Sequence, residues 1–117
     1  MHWPRTWSAN RGEVWWVEFD PAVGSEIRKT RPAVIVSNDA ANRNLAHLAV
    51  VPLTSNTGRQ YPGEALVTVG GQRSKAMADQ IMAADKVRLK SRLAALNMAD
   101  MQAVEDAIRL HLALAKA

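Results

Sequence analysis

The chain contains no cysteine. Disulfides, thiolate metal sites and a cysteine nucleophile are therefore excluded. Histidine is scarce: His2, His47 and His111 are scattered, and no two sit four apart on a helix as a helical metal site requires. No glycine-rich phosphate loop precedes a helix. No apolar run approaches the roughly 20 residues of a membrane span. The opening stretch, MHWPRTWSANRG, has no apolar segment of the kind a signal peptide carries. The expectation is a cytoplasmic protein with no membrane contact, no metal and no cofactor. Tyrosine and phenylalanine occur once each. The four tryptophans crowd into the first part of the chain, at positions 3, 7, 15 and 16.

What is present suits one domain. There are 117 residues, 48% of them hydrophobic, enough for a single core. Residues 1–11 read as a loose lead-in and residues 12–117 as the domain. Fifteen basic against 11 acidic residues give a formal charge of +4, which favours a polyanionic partner.

Periodicity then places the elements. GEVWWVEFDP, Gly12 to Pro21, reads as a strand with apolar groups on both faces, ended by Asp20-Pro21. Residues 22–31 read as a loop. Pro32 to Ser37 reads as a central strand, with proline at its first position because it lacks an N–H donor. Ser37-Asn38-Asp39 is an N-cap cluster that predicts a short helix or turn near 39–44. Strands follow at Leu48–Leu53 and Glu64–Val69, then a third at about Lys75–Ala83. A helical turn after Asp85 and a short strand near 92–96 come next. The spacing of Met101, Val104, Ala107, Ile108, Leu112 and Ala113 predicts an amphipathic helix over roughly 99–114, capped near Asn97. Strands followed by one helix imply a small antiparallel α+β domain with a strongly curved sheet or barrel.

Candidate chemistry gathers at strand ends. Arg31 precedes one strand and Thr54 closes the next. Were those strands neighbours, the two would share a rim. Arginine is a fixed positive fork that suits phosphate oxygens, and a threonine hydroxyl can bond the same group. Ser25 and Glu26 lie in the loop before Arg31, and Asp79 and Gln80 inside an otherwise apolar segment. The residues alone leave a plainer alternative open: a solvated arginine, a Thr-Ser-Asn turn and a local cap.

The stretch GEVWWVEFDPAVGSEIRKTRPAVIVSND resembles the opening of the MazF/PemK-type toxins of bacterial toxin–antitoxin pairs. The shared features here are Gly12-Glu13-Val14-Trp15, Asp20-Pro21, Gly24-Ser25-Glu26 and Arg31-Pro32. VVPLTSN, ADQIMAADKVRL and the terminal helix extend the resemblance over nearly the whole chain after residue 11. It implies a small twisted antiparallel SH3-like β-barrel with a C-terminal helix, the CcdB/PemK-like fold, assembled as a homodimer. It also implies a metal-independent, ribosome-independent endoribonuclease, an mRNA interferase, that cuts single-stranded RNA. An acidic, MazE-like antitoxin would neutralise it.

Residue by residue, Arg31 and Thr54 match the family's catalytic arginine and threonine. Glu26 is the candidate base. Ser25, Arg28 and Lys29 fall in the RNA-touching loop, and Ser55 and Asn56 follow the threonine. Asp79 and Gln80 match an acidic-then-glutamine pair. Lys86 and Arg88 are the nearest candidates for holding phosphate. One departure stands out: where some members carry a second reactive arginine, this chain has Met77, which puts a catalytic Asp79 in doubt. Two other functions fit the same fold: a gyrase poison, or an SH3-like module that binds RNA or protein without cutting. The first relies on a tail with Trp, Gly and Ile; this chain ends LALAKA.

Overall fold

A computed structural model describes residues 8–19 and 29–115. The elements run β1 (Glu13–Phe19), β2 (Lys29–Ile35), α1 (Asp39–Asn44), β3 (His47–Thr54), β4 (Glu64–Val69), β5 (Gln72–Met77), β6 (Met82–Asp85), β7 (Leu89–Ala95) and α2 (Met98–Leu112). Short 3-10 turns at Ala78–Gln80 and Lys86–Arg88 flank β6. All pairings are antiparallel. The strand order is β4-β5-β3-β2-β1-β7, with β6 also paired to β3. The expected α+β class and strand-rich architecture are borne out.

Alternation explains how one sheet serves two cores. Successive strand side chains point to opposite faces. Val14, Val34, Val51 and Leu53 bury one face against β4, β5 and the Met101, Val104 and Ala107 stripe of α2. Trp15, Val17, Ala33, Ile35, Leu48 and Val50 bury the other, with Ala84 of β6 and Leu89 of β7. β1, β2 and β3 are therefore covered on both sides, which is why they read as nearly continuous apolar runs.

Local chemistry fixes the connections. Gly70 and Gly71 turn β4 into β5 with φ of 55° and 84°, a conformation that suits glycine. The Asn38 side chain accepts from the Ala41 N–H and caps α1. Asn97 Oδ1 accepts from Asp100 N at 2.7 Å and caps α2. Asp100 does not close a reciprocal box; its Oδ2 accepts from Thr68 N at 2.8 Å and ties the helix to β4.

Three expectations need correction. β2 begins at Lys29, so Arg31 lies inside the strand and not ahead of it, and Pro32 is not its first residue. Pro32 is tolerated there because β2 pairs with β3 only from Ala33 onward, which leaves one side of Pro32 without a strand partner. The single strand expected over 75–83 is broken at Ala78–Gln80. β4 supplies a partner only as far as Met77, and β3 supplies the next only from Met82, so the chain turns between the two. Asp79 N donates to Gly63 O at 3.1 Å across that break. Finally, residues 9–11 of the expected loose lead-in are docked. Ala9 is buried, Arg11 N donates to Asp39 Oδ1 at 2.7 Å, and Arg11 pairs with Glu105 at 2.8 Å.

Candidate active site

The β2–β3 ladder runs Ile35↔Val50, Val34↔Val51 and Ala33↔Pro52, and stops. Continued by two residues, the same register sets Arg31 opposite Thr54. β1 holds Arg31 from its other side through Val17↔Arg31. β5 holds Thr54 from its other side through Thr54↔Lys75. Arg31, Thr54 and Lys75 thus form one cross-strand row and share a face. The rim inferred from sequence exists because β2 and β3 are neighbours.

Each member of the row is prepared differently. Arg31 is half-buried and makes no hydrogen bond or ion pair with another described residue, so its fork of donors is free to meet an anion. Thr54 Oγ1 accepts from Asn56 N at 3.2 Å. That bond orients the hydroxyl and leaves its own hydrogen available to donate. Lys75 is buried. It pairs with Glu64 at 3.2 Å and its Nζ donates to Arg59 O at 2.5 Å. Its charge is therefore committed within the protein.

A cleft of about 380 Å³ opens at this end of the sheet, lined by Trp16, Pro32, Leu53, Thr54, Ser55 and Leu93 among others. Alternation turns Pro32 toward the cleft and Arg31 to the opposite face of β2. Thr54 is the residue common to the row and the cleft wall. Trp16 and Leu93 are exposed large apolar side chains and were not picked out by motif. Trp16 alternates with the buried Trp15 and Val17, but so does the fully buried Val14, so exposure alone marks Trp16.

The other candidates divide clearly. Ser55 and Asn56 are exposed beside Thr54, and Asn56 Oδ1 accepts from Gly58 N at 3.3 Å to shape the loop. Lys29 opens β2 opposite Phe19. Ser25, Glu26 and Arg28 lie outside the described residues, as do Trp3 and Trp7. Asp79 and Gln80 are exposed in the 3-10 turn. Extending the Leu53↔Ala76 register puts Ala78 level with Val51, so that turn lies some three residues along from Thr54. Gln80 Nε2 donates to Met77 Sδ at 3.5 Å.

Lys86 is a correction: it is 1% exposed, and a buried side chain cannot hold phosphate from solvent. Burial pushes its ammonium below the ordinary lysine value of 10.5. Arg88 is half-buried, and its Nη1 donates to Glu18 O at 3.3 Å. Among the described residues no group of three or more His, Asp or Glu is placed to hold a metal ion.

Residues 10–112 match the family described as PemK-like, MazF-like toxin of type II toxin–antitoxin system. The chain belongs to that family. It is 42% identical over 113 residues to the endoribonuclease MazF9 of Mycobacterium tuberculosis, covering 89% of this chain and 96% of that one. A mycobacterial endoribonuclease solved in complex with its cognate antitoxin superposes with TM-score 0.76 at 28% identity, covering 93% of this chain and 99% of that one. A MazE–MazF crystal structure from Deinococcus radiodurans gives TM-score 0.77 at 26% identity, covering 92% of this chain and 98% of that one. These likenesses fit the CcdB/PemK-like fold. No helix among the described residues is long and apolar enough to cross a membrane.

Proposed function

We propose that this toxin-family chain is a sequence-specific, ribosome-independent endoribonuclease acting on single-stranded RNA in the cytoplasm. Its relatives named as endoribonucleases support the reaction class. The observation that supports the site is the β2–β3 register, which sets Arg31 opposite Thr54 when continued two residues past Ala33↔Pro52. The protein works as a homodimer. An acidic antitoxin of the MazE kind neutralises it, in keeping with the formal charge of +4 and with relatives solved as toxin–antitoxin complexes.

The reaction follows from what the row can do. The ribose 2′-hydroxyl attacks the adjacent phosphorus, a base takes its proton, and the bond to the 5′ oxygen breaks as that oxygen gains a proton. The products are a 2′,3′-cyclic phosphate and a 5′-hydroxyl. The phosphorane carries added negative charge, and Arg31 stabilises it with paired N–H donors. Thr54, oriented through Asn56, donates to a non-bridging oxygen. An arginine guanidinium holds its proton tightly, so the main contribution of Arg31 is electrostatic. Glu26 is the proposed base. Ser25, Arg28, Lys29, Ser55 and Asn56 would hold neighbouring RNA. No metal takes part in this scheme.

The test is incubation of a long mixed-sequence RNA with the protein in EDTA, beside Arg31→Ala and Thr54→Ala, with the product ends determined. Discrete cuts leaving cyclic phosphates, lost in folded variants, are expected. Cutting that needs added metal, or that is equal in all three proteins, would overturn the scheme.

A further inference from the structure

The loop between β3 and β4 carries the chain's single tyrosine, and Tyr61 is 53% exposed. The Arg59 guanidinium lies over that ring, 5.6 Å from its centroid. An arginine over an aromatic ring is a flat, positively charged surface. Left to itself, an exposed loop of nine residues would not hold such a pair in one place.

Here the loop is tied down from beneath. The buried Lys75 donates through Nζ to the Arg59 carbonyl and pairs with Glu64. Glu64 Oε1 in turn accepts from Tyr61 N at 2.8 Å. Gln60 Nε2 donates to Glu64 O at 3.1 Å. Three consecutive residues, Arg59 to Tyr61, are thus fixed to two strand positions. One of those positions, Lys75, is the register partner of Thr54. Paired strands lie about 4.8 Å apart, so the anchor of the loop stands next to the strand that carries the threonine.

We propose that Arg59 and Tyr61 form a nucleobase-stacking platform for single-stranded RNA running past Thr54. The buried Lys75–Glu64 pair acts as its positioning device. The proposal rests on the endoribonuclease reading for its substrate and adds a base-binding subsite to it. Every base presents a π-face, so a ring with an arginine beside it binds single strands through stacking and charge together. Lys75 and Glu64 spend their charges on the loop and hold no RNA themselves. The ring's exposure leaves it open to solvent, while its backbone is fixed.

Two readouts separate the subsite from the reaction. Binding is measured by fluorescence anisotropy with a mixed-sequence oligoribonucleotide whose 2′-hydroxyls are all methylated, which removes the attacking group. Cleavage of a long RNA gives KM, kcat and the pattern of cuts. Tyr61→Ala should weaken oligonucleotide binding and raise KM by about tenfold, the effect of losing one stacked base. kcat should change far less, and Tyr61→Trp should restore binding. Arg59→Ala should lose several-fold. Binding and KM within twofold of wild type in Tyr61→Ala would overturn the platform while leaving the cleavage reading intact. Tyr61-dependent binding by a wild-type protein that cuts nothing would support the platform and sink the endoribonuclease reading. A wild type that neither binds nor cuts would overturn both.

Discussion

The two halves of the β2–β3 pair differ sharply. From Ala33 to Ile35 and from Val50 to Pro52 the strands are in register, and Ala33, Val34, Ile35, Val50 and Val51 are all buried. Two residues further on, Arg31 and Thr54 have outer partners but no ladder between them. The paired half is apolar and closed on both faces. The other half is polar and half-buried, and its Thr54 borders a cleft. On the proposed reading, the scissile phosphate would sit between Arg31 and Thr54, where the ladder stops while the flanking strands continue.

The strongest way to break this contrast is to alter the open half without touching the paired one. Arg31→Lys keeps the charge but removes the planar fork. Cleavage should fall by about a hundredfold to a thousandfold, as when a preorganised donor is lost from a developing anion. The thermal midpoint should barely move, since Arg31 makes no hydrogen bond or ion pair with a described residue. Parallel measurement of kcat/KM and thermal unfolding checks both halves of that statement. A lysine variant with near wild-type turnover would show that bulk charge suffices.

The converse change sits four residues along β2 from Arg31. Ile35 is fully buried in the second core, and Ile35→Ala should cost about 3 kcal/mol in unfolding free energy. At temperatures where the variant remains folded, KM for RNA should stay close to wild type. Urea unfolding gives the first quantity and initial rates the second. A large KM change in the folded variant would mean that the two halves are not independent.

Much of this division is legible in the residues. Glu64–Val69 alternates cleanly and is β4 as expected, and the Ser37-Asn38-Asp39 cluster begins α1 where a cap belongs. The α2 stripe of Met101, Val104 and Ala107 is buried as its spacing demands. Period-two reasoning fails where neighbours change. AMADQIMAAD is apolar enough for one strand, yet its partners pass from β4 and the Leu53 end of β3 to the His47–Val50 end of β3, and the chain bends at Ala78–Gln80. Lys86 shows a second limit, because a lysine in a polar-looking turn gives no sign that tertiary packing will enclose it. Arg31 and Thr54 were each visible, but what brings them opposite one another is a register, which one strand's sequence does not carry. Trp16 was visible as apolar, and only its exposure marks it as cleft wall.

A smaller effect should follow at the helix that covers the first core. Asn97→Ala removes the acceptor for Asp100 N and should cost about 1 kcal/mol. Because α2 packs over Val34 and Val51 on the paired side, the loss should appear in unfolding free energy and leave kcat/KM unchanged. Chemical denaturation at matched RNA activity reads it. Asn97→Asp should keep most of the stability, as an aspartate also caps.

The smallest expected effect is a pH dependence confined to the end of the sheet away from Thr54. Burial would raise the Glu13 carboxyl, but hydrogen bonds from Asn10 N, Trp15 Nε1 and Arg92 outweigh it and hold it below its ordinary 4.5. Asp39 is held below 3.8, first by the Arg11 N–H against a smaller opposing effect of burial, with help from Asn42, Arg43 and Arg11. Both groups release protons more readily folded than unfolded. The stability they add is therefore complete above the unfolded values, at about pH 5 and higher, and is lost as pH falls through the folded ones. Unfolding free energy should decline on acidification below about pH 4.5, and Glu13→Gln should flatten part of that decline. Denaturation across pH 3 to 7, wild type beside Glu13→Gln, measures it. An acid loss of the same size in both proteins would place the sensitive carboxylates elsewhere.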